Sequence, residues 1–302
     1  MLPTRVRRSK YARGGRTIHS KPAHGGFYHP AMNTITTASD RFWFPEPYAR
    51  DEWVKAQAAR LAPASRVLDA GAGSCKYRPF FAHCQYETQD SCQYEGSVVI
   101  YAQRIDHVCD VASIPLPAGS FDAILCTEVI EHVVDPIKVV FELARLLKPG
   151  GKLLLTSPLL SHLHMEPYHY YGGFTHFWYR HWLPKAGLQI DSITSVGGPG
   201  QTCAAFGRAF YAAWQAKERT LSGAAKLVSM AGRAPAKLLL HFLLPWTFPK
   251  LDSWLGSELI CSGYLVEATR AASDRSGPTP PERRPANSAK HLANVPTLQA
   301  NC

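Results

Sequence analysis

The sequence predicts an α/β fold in which a mostly parallel sheet is covered by helices on both faces. Two patterns between residues 52 and 195 carry this prediction. Short apolar runs typical of buried strands alternate with segments whose apolar residues recur at helical spacing. The first of these runs also ends in an acid and passes directly into a glycine-rich turn. Strands joined by helical crossovers pair in parallel, so the alternation favours a doubly wound sheet.

The predicted elements follow one another along a single domain, residues 41–270. Strands are predicted at 66–70, 85–89, 121–126, 152–156, 188–195 and 259–267, with an edge segment at 97–101. Helices are predicted at 52–61, 76–83, 136–147 and 177–186. The alternation then stops, and residues 199–257 are predicted to be a helical insertion before the last strand.

Charge is concentrated at the two ends of the chain. The formal net charge is +10, and residues 1–39 contain seven Lys or Arg and no acid. Residues 270–302 contain five Lys or Arg against two acids, so the part between is neutral. A nucleic-acid enzyme needs a basic face on its folded domain, so the neutral middle argues against nucleic acid as a partner. The ends predict a disordered basic arm at 1–40 and a disordered Pro-rich tail at 271–302, with Met32 as an alternative start.

The cysteines and the apolar runs predict where the protein resides. The eight cysteines form no C-x-x-C pair, and the basic N-terminus lacks the apolar core of a secretion signal. No run reaches about 18 uninterrupted apolar residues, so a membrane-spanning helix is not expected. We therefore predict a cytoplasmic protein with reduced cysteines.

The first motif with chemical meaning lies at residues 66–75. A predicted strand ends at Asp69 and runs into Gly71-Ala72-Gly73. Glycines at such a turn let a ligand approach the backbone closely and permit left-handed dihedral angles. Acids at the carboxyl ends of parallel strands face the crevice in which these sheets bind ligands. Asp90 and Asp110 occupy equivalent ends further along the chain.

The ordered motifs of residues 66–156 resemble the class I S-adenosylmethionine-dependent methyltransferases, of the broad type 11 family. The glycine-rich turn resembles motif I of that family, and three later segments resemble its following motifs in the same order, at 109–122, 121–133 and 147–156. The resemblance implies a Rossmann-like sheet of seven strands, in which the third strand is outermost and the seventh is antiparallel between the fifth and sixth. It also implies S-adenosylmethionine as the cofactor.

The same resemblance implies roles for individual residues. Asp90 would accept hydrogen bonds from both ribose hydroxyls, with Glu87 as its rival if the strand ends earlier. Asp110 would meet the adenine amino group, whereas Asp122 is expected to be structural. The implied cofactor-binding set is Asp69, Gly71, Ala72, Gly73, Asp90, Asp110, Val111, Thr127 and Glu128.

Glu128, Glu131 and His132 have the spacing of one face of a helical turn. They resemble the E-x-x-E-H motif that holds a divalent cation in small-RNA 2′-O-methyltransferases and in certain quinone-biosynthesis O-methyltransferases. A downstream histidine completes the site in the RNA enzymes, and His162, His164 or His176 could do so in this chain. The same segment is common in metal-free members of the broad family, and we predict a site without metal.

Residues 161–176 would hang over the crevice and resemble a family loop that shapes the acceptor pocket. The loop departs from the family at His169, where an acid is usual, and at Gly172-Gly173, where an arginine is usual. His132, His164 and His169 are the candidate general bases, because histidine titrates near neutral pH. The departures leave the charge of the acceptor open.

The insertion at 199–257 would emerge on the cofactor side and act as a lid over the acceptor. Within 224–247, Lys226, Arg233 and Lys237 alternate with leucines, which suits a membrane surface, although packing on the sheet is an alternative. We predict methyl transfer to a hydroxyl, amine or carbon of a small-molecule or glycan- or lipid-linked acceptor. The alternatives are a metal-dependent RNA 2′-O-methyltransferase and a non-catalytic cofactor-binding module.

Overall fold

The computed structural model describes residues 33–272, except residues 97, 103, 257 and 258. Its strands are β1 (Arg66–Ala70), β2 (Gln85–Asp90), β3 (His107–Val108), β4 (Phe121–Thr127), β5 (Leu147–Pro158), β6 (Leu188–Val196) and β7 (Gly263–Arg270). Its α-helices are α1 (Pro45–Ala59), α2 (Pro136–Leu146), α3 (His176–Lys185), α4 (Pro199–Glu218), α5 (Gly223–Lys237), α6 (Leu244–Thr247) and α7 (Asp252–Leu255).

The seven strands form one sheet in the order β3-β2-β1-β4-β5-β7-β6. Each neighbouring pair from β3 to β5 is parallel, whereas β7 is antiparallel to both β5 and β6. The predicted fold class, including the helical insertion before the last strand, is therefore confirmed. The predictions for residues 1–32 and 273–302 lie outside the described residues.

Helices bury both faces of this sheet. On one face α1 contributes Val54 to an apolar cluster that contains Val67 and Leu125. On the other face α2 contributes Leu143 to the cluster that contains Leu68. Successive residues of a strand point to opposite faces, so a strand covered on both sides needs a nearly continuous apolar run. This explains the apolar residues Val67 and Leu68 in the middle of β1 and the apolar run from Ala123 to Cys126 in β4.

The predicted edge strand at 97–101 and the predicted helix at 76–83 were wrong. In the first segment, the Asn33 side chain takes up backbone hydrogen-bonding groups that a strand would use. Ile100 N–H donates to Asn33 Oδ1, and Asn33 Nδ2 donates to the Val98 carbonyl. The edge strand is β3 instead. The second segment forms only a 3₁₀ turn, Arg78–Phe81. Pro79 lacks the N–H that an α-helix would need at that point.

The folded domain begins earlier than residue 41. The backbone N–H and the hydroxyl of Thr36 both donate to the buried carboxylate of Asp51, at 2.8 and 2.9 Å. Helix α1 likewise begins at Pro45 rather than at residue 52, with proline in its first turn, where no N–H is required. Residues 33–40 therefore belong to the domain, and the predicted arm can include only the residues before them.

The insertion consists of α4 and a longer helix that runs back across it. This longer helix comprises α5, a π-helical segment Leu238–Leu243, α6, a 3₁₀ turn Phe248–Leu251 and α7. Several contacts hold it to α4: Trp214 Nε1 donates to Ser229 Oγ at 2.7 Å, Arg233 pairs with Glu218 at 3.2 Å, and the His241 ring meets the Tyr211 ring edge-on. The Asp252 carboxylate accepts hydrogen bonds from the first turn of α4, at Gly200 N and Gln201 N.

The longer helix bears on one sequence expectation. Residues Gly223–Leu255 form 33 helical residues that contain an 18-residue window of mean hydropathy 1.3, none of it buried. By length and composition, this helix could cross a membrane. The sequence argument missed it because Lys226, Arg233 and Lys237 interrupt the apolar run. The criterion of uninterrupted apolar residues therefore overlooked a candidate, and the expectation that no helix spans a membrane stays a prediction.

Candidate active site

A cavity of about 1350 Å³ opens at the carboxyl ends of β1, β2 and β4. All nine residues predicted to bind the cofactor line it, and so do His132 and His164. His169 does not line the cavity. Its Nε2 lies 2.9 Å from Ser161 Oγ, and its ring lies beside His164 with the centroids 4.5 Å apart. His169 can therefore support His164 but does not itself face the cavity.

The glycine-rich turn after β1 forms the floor of the cavity. Gly71 has a φ of +76°, and a Cβ at that position would lie 2.3 Å from Val129 Cγ2. Any larger residue would therefore combine backbone strain with a steric clash. Cys75, two residues after Gly73, also has a positive φ of +57°. The turn thus keeps a left-handed residue at this position without glycine.

Asp90 and Glu87 are the two rival acids of β2, and only Asp90 reaches the cavity. Asp90 ends the strand, where its Oδ2 accepts from Gly73 N and its Oδ1 from Cys92 N, each at 2.9 Å. Glu87 instead pairs with Arg66 at 2.5 Å and with His107 at 2.8 Å.

Asp110 and Asp122 lie at opposite ends of the sheet. Asp110 lines the cavity, and its Oδ1 accepts from Ala112 N at 2.8 Å. Asp122 lies away from the cavity, where it pairs with Lys148 at 2.8 Å and accepts from Arg66 N. Asp110 is thus positioned to contact a ligand, and Asp122 ties β4 to its neighbours.

Asp69 is the most deeply buried acid of the turn, with 2% of its surface exposed. The Tyr86 hydroxyl donates a hydrogen bond to its carboxylate. Burial, against the opposing hydrogen bond from Tyr86 and with a smaller contribution from the neighbouring Asp90, raises the pKa of Asp69 to about 7. The Asp69 carboxyl is therefore poised to ionise when a cationic ligand enters the cavity.

Helix α1 adds a charged group that the sequence analysis missed. Arg50 is buried, and its Nη1 lies 2.8 Å from Glu46 Oε1 and 3.1 Å from Glu128 Oε2. The other oxygen of Glu128 accepts from Thr156 Oγ1 at 2.8 Å. The i, i+4 spacing of Glu46 and Arg50 was a usable signal, but the predicted helix began too late to include them.

The cavity is strongly acidic. Eight carboxylate residues line it: Glu46, Asp69, Asp90, Asp110, Glu128, Glu131, Asp135 and Glu166. Only four cationic residues do so: Arg50, Lys76, Lys138 and Arg208. Burial raises the pKa of Asp69 and of Glu131, but the remaining carboxylates still outnumber the four cations, and this favours a cationic ligand.

The proposed ligands for a metal are partly assembled. The nitrogen or carboxylate oxygen atoms of Glu131, His132 and His164 lie within 4.8 Å of one another. Glu128, by contrast, is engaged by Arg50 and Thr156, and His176 lies outside the cavity near Tyr264. Glu131 is buried, and its Oε2 has no hydrogen-bond partner among the described residues. Burial, with Glu128 nearby, raises the pKa of Glu131 well above its usual value.

His132 is held in a defined orientation beside this acid. Its Nδ1 lies 2.8 Å from the Tyr168 carbonyl oxygen and must donate to it, which leaves the lone pair of a neutral ring on Nε2. Burial, and then the neighbouring His164, lower the pKa of His132 to about 4. The ring is therefore neutral at physiological pH, with Nε2 able to accept a proton.

Comparison with known proteins identifies the family of this arrangement. A family model described as a methyltransferase domain matches residues 42–193. The chain belongs to this methyltransferase family. The class I assignment predicted from the motifs is confirmed, and the family description is broader than the type 11 group that the motifs resemble.

Two similar methyltransferases come from Xanthomonas. The ubiquinone biosynthesis O-methyltransferase of Xanthomonas oryzae pv. oryzae (strain PXO99A) is 32% identical over 158 residues, 46% of this chain and 65% of that protein. The protein of the same name from Xanthomonas axonopodis pv. citri (strain 306) is 32% identical over 216 residues, 59% of this chain and 87% of that protein. The chain thus spans slightly less than two thirds of the first of these methyltransferases.

Among solved structures, the chain is similar to phosphoethanolamine N-methyltransferase 2 of Haemonchus contortus in complex with S-adenosyl-L-methionine. The identity is 16%, the TM-score is 0.42, and the match covers 74% of this chain and 52% of that one. The fold of the present protein is assigned from its own sheet order, β3-β2-β1-β4-β5-β7-β6.

Proposed function

We propose that this protein transfers a methyl group from S-adenosylmethionine to a hydroxyl, amine or carbon of a small-molecule or glycan- or lipid-linked acceptor. The observation that supports this most directly is the acidic cavity above the Gly71–Gly73 turn, in a chain of the methyltransferase family. When bound, the cofactor supplies an activated methyl group on a cationic sulfonium. The carboxylate residues of the cavity match that positive charge.

The residues at the strand ends can hold such a cofactor by ordinary contacts. Asp90 uses one lone pair of each oxygen on a backbone N–H, and about two of its four lone-pair sites remain for ribose hydroxyls. The glycines allow close approach to the backbone, and Asp110 lies further along the same wall. Methyl transfer from a sulfonium then needs mainly alignment and exclusion of water. The insertion covers the cavity with Phe206 of α4 and His241 of the longer helix.

An acceptor that loses a proton needs a base close to the cavity. We assign this role to His132, because the Tyr168 carbonyl fixes its ring with Nε2 as the proton acceptor, 3.7 Å from Glu131 Oε1. The His164 ring packs edge-on against the His132 ring with the centroids 4.7 Å apart, and the His169 ring in turn packs against His164. His164 is the alternative base.

Calorimetric titration tests the proposal. The folded protein is expected to bind both S-adenosylmethionine and S-adenosylhomocysteine, and a Gly71→Val variant that still folds is expected to bind neither. Binding is then combined with a turnover assay on lipid and small-molecule extracts, in which formation of S-adenosylhomocysteine separates an enzyme from a binding module. A folded wild-type protein that binds neither compound would refute the proposal.

A second candidate is metal-assisted methyl transfer to a hydroxyl, favoured by the partnerless Glu131 Oε2 beside His132 and His164. A divalent cation there would lower the pKa of the acceptor hydroxyl. Exhaustive chelation decides between the two candidates, because activity that survives it excludes the metal. If chelation abolishes activity and added Mg²⁺ or Zn²⁺ restores it, the metal requirement is established. The neutral charge of residues 40–269 still argues against RNA as the acceptor.

We further propose that the longer insertion helix rests on an anionic membrane surface. Eight large apolar side chains between residues 227 and 246 are exposed: Leu227, Val228, Met230, Leu238, Leu239, Phe242, Leu243 and Trp246. Residues 219–251 contain five Lys or Arg and no acid. A helix with an apolar face and a one-signed charge is typical of interfacial binding to anionic lipid. The contacts to α4 favour a helix that lies on the bilayer over one that crosses it.

Vesicle flotation tests this membrane contact. The protein is expected to float with vesicles of phosphatidylglycerol and phosphatidylethanolamine and to be released by alkaline carbonate. A Leu227→Ser/Leu238→Ser double variant is expected to partition at least about tenfold less, because two exposed aliphatic side chains no longer enter the lipid. Phe177→Ser, on the exposed face of α3, is the control and is expected to float like the wild type.

Three results would contradict the membrane proposal. The double variant could float like the wild type, or the protein could resist carbonate, which would indicate a spanning helix. Alternatively, the wild type could form a dimer that the double variant abolishes, without binding vesicles. That last result would show that a second copy covers the face.

A further inference from the structure

Arg208 of α4 is a half-buried cation in the cavity wall that has no counter-charge. Its side chain makes no hydrogen bond or ion pair with any residue between 33 and 272 that the structure describes. The two more deeply buried cations of the cavity are both paired, Arg50 with Glu46 and Glu128, and Lys76 with Asp51. Burying a guanidinium without a partner costs free energy, so an unpaired one in a cavity indicates a missing anion.

The surroundings of Arg208 reinforce this reading. Removal from water lowers the pKa of Arg208, and no acid opposes that effect. Every carboxylate residue of the cavity comes from α1, from a strand end or from the loops that follow β3, β4 and β5, and none comes from the insertion. The insertion instead contributes Arg208, the uncharged polar side chains of Gln201 and Thr202, the apolar Ala205, Phe206 and Ala209, and His241. Among the described residues, Arg208 is therefore the one cation that the insertion contributes to a cavity whose acids all lie on the other elements.

We propose that Arg208 binds an oxyanion, either a carboxylate or a phosphate, carried by the methyl acceptor. The planar guanidinium can donate two parallel hydrogen bonds to either group. The apolar neighbours Phe206 and Ala209 would contact the non-polar part of the same molecule. The acceptor class is then an anionic amphiphile. This inference rests on the proposed function, because it assigns Arg208 to the acceptor and not to the cofactor.

The test is a calorimetric titration of the full-length protein saturated with S-adenosylhomocysteine, using inorganic pyrophosphate and 4-hydroxybenzoate as the two probes. The wild type is expected to bind at least one of them. Arg208→Gln is expected to weaken that binding about tenfold or more, because it removes a charge-assisted bidentate contact. Arg208→Lys keeps a point charge without the planar fork, and its affinity for the anion is expected to lie between those of the wild type and Arg208→Gln. Binding of pyrophosphate alone indicates a phosphorylated acceptor, and binding of 4-hydroxybenzoate alone a carboxylated one.

Arg219→Gln, at the exposed end of α4, is the matched control and is expected to bind both S-adenosylhomocysteine and the anion like the wild type. The inference is overturned if the wild type binds neither probe, or if Arg208→Gln binds the anion as well as the wild type does. It is also overturned if Arg208→Gln loses affinity for S-adenosylhomocysteine, because Arg208 would then belong to the cofactor site. Failure of the wild type to bind S-adenosylhomocysteine would refute the proposed function instead. The anion titration of the unliganded protein would then still test whether Arg208 binds an oxyanion.

Discussion

Replacing Asp69 with asparagine is expected to make the ligand-free protein more stable than the wild type, by a margin that grows with pH. In the folded state the pKa of Asp69 is about 7, because burial opposes its charge, against an ordinary value of 3.8. The unfolded chain therefore releases this proton first, and the wild type loses free energy of unfolding as the pH rises from about 4 to about 7. Between about pH 5 and pH 8 the margin is expected to grow by about 3 kcal/mol.

Urea unfolding of both proteins at the two pH values measures this margin. Glu52→Gln, on the exposed part of α1, serves as the control, because its carboxylate is not buried. The control is expected to keep a constant margin from the wild type across the same pH range. If the unfolding free energies of Asp69→Asn and the wild type change in parallel with pH, Asp69 is not a protonated buried acid.

The same variant is expected to bind S-adenosylmethionine more weakly although it is more stable. The ionised Asp69 carboxylate would attract the cationic ligand, and asparagine cannot, so stability and binding change in opposite directions. In the wild type, binding is expected to tighten as the pH rises through about 7, with release of a proton. Calorimetry in two buffers of different ionisation enthalpy detects that proton, and Asp69→Asn is expected to release none. Proton release that persists in the variant would assign the proton to another group.

The acids at the strand ends were predictable from the sequence because their positions depend on local pattern. A short apolar run within an alternation of strands and helices indicates a strand covered on both faces, and its C-terminal residues then lie at the carboxyl edge of the sheet. Asp69, next to the end of β1, is placed by this rule, whereas β2 is a polar strand and the role of Asp90 at its end was predicted from the family resemblance. The left-handed conformation of Gly71 was predictable for a similar reason, since glycine is the residue that adopts a positive φ most readily.

The charged group from α1 was not predictable because its function depends on tertiary packing. Glu46 and Arg50 have the spacing of an ordinary surface ion pair on a helix. Nothing in the local sequence shows that the fold brings Arg50 within 3.1 Å of Glu128, 78 positions later in the chain. Likewise, the histidine-rich loop offers three similar side chains, and only its folded path directs His164 to the cavity and His169 away from it.

Asp90→Asn and Glu87→Gln are expected to separate cofactor binding from stability. Asparagine at position 90 keeps the shape but removes the charge and one acceptor, so binding of S-adenosylhomocysteine is expected to weaken about 100-fold, which corresponds to the loss of about one charge-assisted hydrogen bond. Glutamine at position 87 weakens the pairs with Arg66 and His107, outside the cavity. That variant is expected to unfold more readily and to bind the ligand like the wild type.

Calorimetry and urea unfolding of the two variants form a crossed test, since each residue is the control for the other. The comparison is demanding because both acids lie on β2, three residues apart, and both accept hydrogen bonds that tie β2 to its neighbours. Weaker binding by Glu87→Gln, with wild-type affinity in Asp90→Asn, would mean that the ribose contact lies three residues earlier on β2, at Glu87 and not at Asp90. The expected result instead makes the end of β2 the point where this sheet holds its ligand, as the carboxyl ends of parallel strands do generally.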